Sequence, residues 1–312
     1  MIGNDIEIAR NFLMRDQVTA IPTETVYGLA GNALKSEVVA RIFEIKNRPH
    51  FDPLIVHISD KKEATKYAKE ISPLAEKLME AFWPGPLTIL FPKKKNIPDL
   101  VTAGLNEVGL RVPNHELTLL LLRTLKFPLA APSANPFGYI SPTQARHVEK
   151  QLGDAIPYIL DGGPSEVGIE STVIRVVNQS IHVLRAGGIT VEMLAEFCPH
   201  ITRETSSSSA PASPGLVSSH YAPNKPLKVG SIENLLNEYA GVKAGVLSFS
   251  KSYDCHKNCI LSARAELTEA AKNLFTMLRE LDESDCEIVF SECVPNEGLG
   301  VAINDKLMRA SK

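Results

Sequence analysis

Residues 18–58, VTAIPTETVYGLAGNALKSEVVARIFEIKNRPHFDPLIVHI, decide the fold class. Val18 to Ile21 reads as a strand that enters a turn, Ile21 to Gly31, bounded by Pro22 and by glycines. From Lys35 to Lys46 the apolar residues Val38, Val39, Ile42, Phe43 and Ile45 recur at helical spacing, and Pro49 ends the run. Leu54 to Ile58 (LIVHI) is a short apolar stretch of the kind found in a buried strand. Strand, helix and strand in so short a distance indicate an α/β layer structure.

The alternation continues outward. Helices are expected at Ile6 to Met14, Leu74 to Phe82 (stopped by Pro84-Gly85-Pro86), Glu116 to Leu125, Thr143 to Leu152 and Thr190 to Phe197. Strands are expected at Leu87 to Phe91, Gly109 to Val112, Leu129 to Ala131, Ile156 to Leu160, Thr172 to Val177 and Ile181 to Leu184. Thr205 to Pro223 (TSSSSAPASPGLVSSHYAP) breaks the pattern, with too little apolar content for a core of its own. Beyond it, strands at Leu227 to Val229, Ala244 to Phe249 and Glu287 to Phe290 alternate with helices at Ile232 to Tyr239, Leu267 to Leu281 and Leu299 to Met308. That is a βαβαβα unit, read as a small parallel three-layer sandwich. The expected division is therefore 1–203, a linker at 204–225, and 226–312.

Composition agrees with two soluble domains. The 312 residues include 33 Lys+Arg, 36 Asp+Glu and 8 His, a formal net charge of −3, with 44% apolar and 22% charged residues. Single cores stop growing near ~250 residues, so a chain of this length favours two domains. From Pro226 onward there are 10 basic and 13 acidic residues, which leaves 23 of each before it. These numbers exclude a disordered chain, a histone-like binder and a disulfide scaffold. The opening Met1 to Arg15 lacks the apolar centre of a secretory signal, and no run of ~18 apolar residues suggests a membrane span. With an odd count of 5 Cys, reduced thiols and a cytoplasmic location are expected, with no membrane partner.

Common catalytic signatures are missing. There is no G-x-x-x-x-G-K-[ST] loop, no G-x-G-x-x-G after a strand, no H-E-x-x-H and no G-x-S-x-G elbow. Cys255 and Cys259, with His256, Cys286 and Cys293, fit no zinc-knuckle spacing, so no resident metal site is read. Three segments nevertheless carry more polar chemistry than a scaffold needs. Thr23, Glu24, Thr25 and Tyr27 crowd the turn after the first strand, either as ordinary caps or as a grip on a polar ligand at the strand's end. Lys46 and Arg48 close a helix, where cations complement the dipole; with Asp52 and His57 following, they also suit phosphate oxygens. His57 alone reads equally as a core histidine.

Ala130 to Asn135 (AAPSAN) supplies Ser133 and Asn135 after a strand, and Ser141 stands at a helix start, as an N-cap or as part of an anion site. Arg111 within a strand requires a partner, because an unpaired buried charge is costly. With Ser171 and with Arg185 before Ala186-Gly187-Gly188, the set Lys46, Arg48, Arg111 and Arg185 would make a cationic cavity for a triphosphate.

The ordered segments PTETVYGLAGNA, KNRP, DPLIVHI, WPGPLTIL, GLRVP, APSAN, SPT, DGGPSEVGIESTV and LRAGG resemble the YrdC-like domain of threonylcarbamoyl-adenylate synthases. SPGLVSSHYAP and GLGVAINDKLMRAS resemble the longer form with an added C-terminal domain. The resemblance implies a concave, twisted α/β sheet with a positive cavity, plus a small Rossmann-like domain. It implies an enzyme that joins ATP, L-threonine and bicarbonate, with Mg2+ on the phosphates, releasing threonylcarbamoyl-AMP and pyrophosphate. A separate transferase then modifies tRNAs that read ANN codons. By motif position Thr25, His57, Arg111 and Ser171 would hold threonine. Lys46, Arg48, Asp52, Ala131, Ser133, Asn135, Ser141 and Arg185 would hold ATP, with Lys46 and Arg48 acting on the reacting phosphates and His220-Tyr221 folding over as a lid.

Two departures bear on this. Glu107 stands where the family often has Thr, and would repel phosphates unless turned away. Val217, Ser218 and Ser219 replace basic lid residues common in the family. Two other readings compete: a double-stranded RNA or tRNA-binding module, and a carbamoyl-adenylate enzyme, which normally sits in a larger zinc-finger protein.

Overall fold

A computed structural model describes residues 1–49, 52–203 and 220–312. Eleven strands form one mixed sheet among the described residues: β1 (Ile2–Gly3), β2 (Thr19–Ile21), β3 (Gly28–Asn32), β4 (Ile55–His57), β5 (Leu87–Pro92), β6 (Glu107–Arg111), β7 (Leu129–Ala130), β8 (Ile159–Leu160), β9 (Thr172–Val177), β10 (Ser180–Arg185) and β11 (Ile201–Arg203). Their order is β1-β8-β2-β3-β7-β4-β6-β5-β9-β10-β11. β4 runs parallel to β6 and antiparallel to β7, with His57 opposite Arg111 on one side and Leu129 on the other.

Alternation along the strands sorts residues onto two faces. On one face Val56, Ile89, Leu110 and Ile174 pack under α2 (Ser36–Lys46), α3 (Pro73–Phe82) and α5 (Ala145–Leu152) through Val39, Ile42, Phe43, Leu78 and Val148. The other face is divided. At the β8-β2-β3-β7 end, Ile21, Ala30, Leu129 and Leu160 are covered by Leu13 of α1 (Ile6–Met14) and by Leu121 and Leu122 of α4 (Glu116–Thr124). Farther along, Ile55, Leu90, Val173 and Leu184 make only a small apolar floor, and polar side chains stand where a helix would lie. This half-bare face holds the site.

The expected elements form, with four added strands and a short 3-10 helix at Lys61–Lys66. β1, β11, β3 and a strand at Lys257–Ile260 were not foreseen from the sequence. β3 is the instructive one, since GLAGN reads as a turn. Its glycines are required by close approach rather than by chain reversal: a Cβ on Gly31 would meet Val38 Cγ1 at 2.6 Å, and one on Gly28 would meet Ala131 Cβ at 3.2 Å. Glycine lets α2 and the β7 loop lie directly on the strand.

The second sheet contains β12 (Leu227–Val229), β13 (Ala244–Ser248), β14 (Lys257–Ile260) and β15 (Ile288–Ser291), parallel throughout in the order β12-β15-β13-β14. After α6 (Val191–Ala195) in the first sheet's segment, α7 (Ile232–Glu238) covers one face of the second, where Ile232 meets Val246 and Phe290. α8 (Leu267–Asp282) and α9 (Gly300–Ala310) cover the other face through Phe275, Leu278, Ile303 and Leu307. That apolar layer continues across to Val26, Ile140 and Ile169 beside the first sheet. Polar contacts reinforce it. Arg279 of α8 donates to Ile140 O and to Gln151 Oε1 and lies 5.0 Å over the Tyr139 ring, whose hydroxyl donates to Asp282 at 2.5 Å. No helix among the described residues is long and apolar enough to cross a membrane.

Candidate active site

The cavity runs along β4 on the half-bare face. It encloses about 490 Å3 of space not filled by protein atoms, part of it open to solvent. Ile55 and His57, two residues apart, both point into it while Val56 points into the core. The site thus lies across a sheet face, not at the strand ends that α/β sheets commonly use.

One end is built from hydroxyls and a guanidinium. Arg111 closes β6, donating to Thr25 Oγ1 at 3.0 Å and to Gly85 O, and pairing with Glu24 at 2.7 Å. Thr25 is also held by Thr23 Oγ1 at 2.8 Å, so the PTETVY turn is locked from within. Ser171 shares a hydrogen bond with Thr88 at 2.8 Å and receives another from Arg185 at 3.0 Å. His57 completes this end, with no hydrogen-bond partner at Nδ1 among the described residues. Burial, and then the charge of Arg111, push its pKa down to about 3, so the ring is neutral at pH 7.

The other end is cationic. Arg48 lines the cavity with its guanidinium fixed by Pro53 O at 2.9 Å, Asp52 O at 3.2 Å and the Asp52 carboxylate at 2.8 Å. Asp52 is fully buried behind it. Lys46 lies deeper, outside the lining, and its ammonium donates to Ser133 O and Asn135 O at 2.5 Å each. The helix-dipole reading of Lys46 and Arg48 therefore fails: both leave the helix end to brace neighbouring loops. Burial and Arg48 hold the Lys46 pKa well below the usual lysine range, with Asp52 opposing them. Ala131 and Ser133 line the wall, and Asn135 sits behind it, donating to Tyr139 O at 2.9 Å.

Ser141 is not an N-cap. The helix begins later, at Ala145, and Ser141 Oγ donates to Glu170 Oε1 at 2.7 Å. His220 and Tyr221 close the mouth. The Phe137 ring bridges to them, 5.9 Å from the Arg48 guanidinium and 5.7 Å from the His220 ring. Tyr221 has a left-handed backbone (φ 68), and its ring stacks on Phe275 of α8 at 5.4 Å. Burial first, then Arg48, depresses the His220 pKa, and burial raises that of Tyr221. Val217, Ser218 and Ser219, which replace the basic lid residues, lie outside the described residues.

Glu107 does turn away. Its carboxylate takes a bidentate pair from Arg175, 2.7–3.0 Å, at the far end of β6. Among the described charged residues of the lining, Arg48, Arg111 and Arg185 face a single carboxylate, Glu170. Sequence reasoning singled out neither Glu170 nor Lys306, which meets it from α9 at 3.4 Å. The signal available was position: Glu170 directly precedes Ser171, and Lys306 falls in the GLGVAINDKLMRAS segment.

Comparison with known proteins places the chain in a family. The family model Sua5/YciO/YrdC, described as telomere recombination, matches residues 11–187. The model for the threonylcarbamoyl-AMP synthase C-terminal domain matches residues 189–312. A threonylcarbamoyl-AMP synthase of Pyrococcus abyssi is 39% identical over 98% of this chain and 94% of its own length. The chain belongs to the threonylcarbamoyl-AMP synthase family. Members of this family are nucleotidyltransferase-type enzymes. The Bacillus subtilis threonylcarbamoyl-AMP synthase is 41% identical over 99% of this chain and 94% of its length. A crystal structure of P. abyssi Sua5 complexed with L-threonine superposes with a TM-score of 0.94 at 37% identity, covering 100% of this chain and 97% of that one. For this family member, the mixed sheet with a helix-covered face and the small parallel α/β domain are the fold.

Proposed function

We propose that the chain is an L-threonylcarbamoyladenylate synthase, which converts ATP, L-threonine and bicarbonate into threonylcarbamoyl-AMP and pyrophosphate. The observation that carries this reading is the convergence, along one sheet face, of a small hydroxyl- and guanidinium-lined end with a cationic end. Thr25, His57, Arg111 and Ser171 are all nearly inaccessible, which suits an amino acid and not the open surface an RNA duplex needs. The P. abyssi relative that carries L-threonine supports the same assignment.

The chemistry needs no protein nucleophile. Condensation of the threonine ammonium with bicarbonate forms the carbamate N–C bond and releases one water and one proton. A carbamate oxygen then attacks the α-phosphorus, and the P–O bond to pyrophosphate breaks. Arg111 would pair with the threonine carboxylate while Thr25 and Ser171 fix its side chain and backbone. A neutral His57 Nδ1 accepts a hydrogen bond from the amine without adding a competing positive charge. Arg48 and Arg185, with Ser133 on the adjoining loop, would hold and neutralise the phosphates; Asn135 stands behind that loop and, with Lys46 bound to the Ser133 and Asn135 carbonyls, would keep it in place. Positioning and charge neutralisation of this kind are what such a reaction requires.

The carboxylate in the wall and the two behind it each face a cation already, Glu170 with Lys306, Glu24 with Arg111 and Asp52 with Arg48. The residues therefore fit a Mg2+ that arrives on the nucleotide, held by phosphate and water, where it would supply further neutralisation of charge. The product would pass to a cytoplasmic transferase for tRNAs reading ANN codons. Pyrophosphate release from ATP tests the reading. Release should require both L-threonine and bicarbonate and be much weaker with L-serine; release independent of threonine would refute it.

A further inference from the structure

Glu170 poses an electrostatic problem. It is the carboxylate among the charged lining residues of a cavity that, on the reading above, receives a triphosphate, and it is 6% exposed. Its Oε1 is taken by the Ser141 hydroxyl, but its Oε2 has no hydrogen-bond partner among the described residues. Its ion-pair partner among the described residues comes from the other domain: Lys306 Nζ, on α9, lies 3.4 Å from that oxygen and 3.2 Å from Ala186 O. Lys306 is 1% exposed, and its ammonium sits 5.6 Å over the Tyr221 ring. Burial lowers its pKa while Glu170, and then Asp305, raise it.

We infer that Lys306 is a positioning residue for the nucleotide end of the site: it neutralises Glu170 across the domain boundary, so the second domain completes the electrostatic wall that ATP meets. Without it Glu170 would keep no ion-pair partner among the described residues, in a cavity meant for phosphate oxygens. Ser141, held by the same carboxylate, would lose its fixed orientation. Three features make this assignment specific. The contact is made by a side chain of the second sheet's helix layer, it reaches a residue lining the cavity, and it touches the ring that closes the mouth.

The inference rests on the functional reading, and the full-length protein separates the two. Binding of ATP with Mg2+ and of L-threonine is measured by calorimetry for the parent chain and for Lys306→Met, Lys306→Arg, Glu170→Gln and the double variant Lys306→Met/Glu170→Gln. Lys306→Met should weaken ATP by roughly tenfold or more while L-threonine changes less than about threefold, as expected when one partner of a buried charge pair is removed near an anion. Lys306→Arg should retain ATP binding. In the double variant, where no orphan carboxylate remains, ATP affinity should return to within about threefold of the parent.

Parent-like ATP binding by Lys306→Met overturns the inference and leaves the synthase reading standing. So does a double variant as weak as Lys306→Met, which would mark Lys306 as mere domain packing. If Lys306→Met does not fold, Glu170→Gln decides: it should tighten ATP, since it removes an anion from the wall, and weaker binding refutes the idea. A parent that binds no ATP refutes the functional reading itself.

Discussion

Replacing Arg111 by Met, alone and together with Glu24→Gln, separates what the guanidinium does for the fold from what it does for the ligand. Arg111 and Glu24 are 4% and 3% exposed and pair at 2.7 Å. Removing one member of a buried pair costs about 3–5 kcal/mol, because the other charge is left uncompensated. For a domain of this size each kcal/mol shifts Tm by roughly 2–4 °C, so the single variant should melt about 6–20 °C lower. A hydrogen bond to a charged group is worth about 1.5–3 kcal/mol, which is a 10- to 150-fold loss of threonine affinity at about 1.4 kcal/mol per decade. Glu24→Gln in the same chain removes the orphan charge, so the Tm should largely recover while threonine binding stays weak. Calorimetric titration with L-threonine and a thermal melt on each variant supply the two readouts. A double variant that binds threonine like the parent would refute the role of Arg111 as the carboxylate partner. This is the opposite of the outcome expected at Lys306, where the double variant should regain its ligand.

Three further outcomes follow from the same geometry. Arg48→Ala leaves Asp52 buried without its 2.8 Å partner and takes a cation from the phosphate end, so kcat/KM for ATP should fall at least ~100-fold; a smaller loss in a folded variant would exclude direct phosphate contact. The His57 pKa lies near 3, below its unfolded value of about 6.5, so its contribution to stability is complete above pH 6.5 and is lost as pH falls toward 3. At pH 5 this amounts to about 2 kcal/mol relative to pH 7, and urea unfolding of His57→Gln should show that much less pH dependence; an unchanged slope would mean that the ring is not buried neutral. Gly187→Ala places a Cβ 2.2 Å from Glu170 O, and since backbone must move to accept it, both stability (about 1–3 kcal/mol in urea) and pyrophosphate release should drop.

The legible parts of the molecule were those governed by local pattern. Val38, Val39, Ile42 and Phe43 announced α2, and LIVHI announced β4, because each needs only one helix face or one short apolar run to be buried. GLAGN was opaque because its glycines serve neighbours on other elements: Val38 of α2 and Ala131 after β7 occupy the space their side chains would fill. β14 (KNCI) hid for a related reason, as a polar edge strand with no apolar alternation of its own. In the site, residues of the Thr25, Arg48, Arg111, Ser133, Ser171 and Arg185 motifs do converge on one cavity. Their counter-charges were harder to read. Nothing local says that Glu24 faces Arg111, that Glu107 faces Arg175, or that a lysine 136 positions away faces Glu170. Ser141 shows the converse: its sequence context suggested a cap, and only the folded chain brings Glu170 to it.

The three-residue strand β4 has a consequence for how the family's chains can change. Ile55 and His57 belong to the cavity and Val56 to the core, so sliding the strand by one position would exchange the two sets. Two neighbours of opposite sense prevent the slide, since a displacement that suited the parallel partner would break the antiparallel one. Arg48 is anchored to Asp52 O and Pro53 O just upstream. The number of residues from Arg48 to His57 therefore measures out the distance between the two ends of the cavity. Single-residue insertions or deletions there have no silent outcome, while substitutions that keep the count can drift. Spacing, as much as residue identity, is what selection would have to preserve.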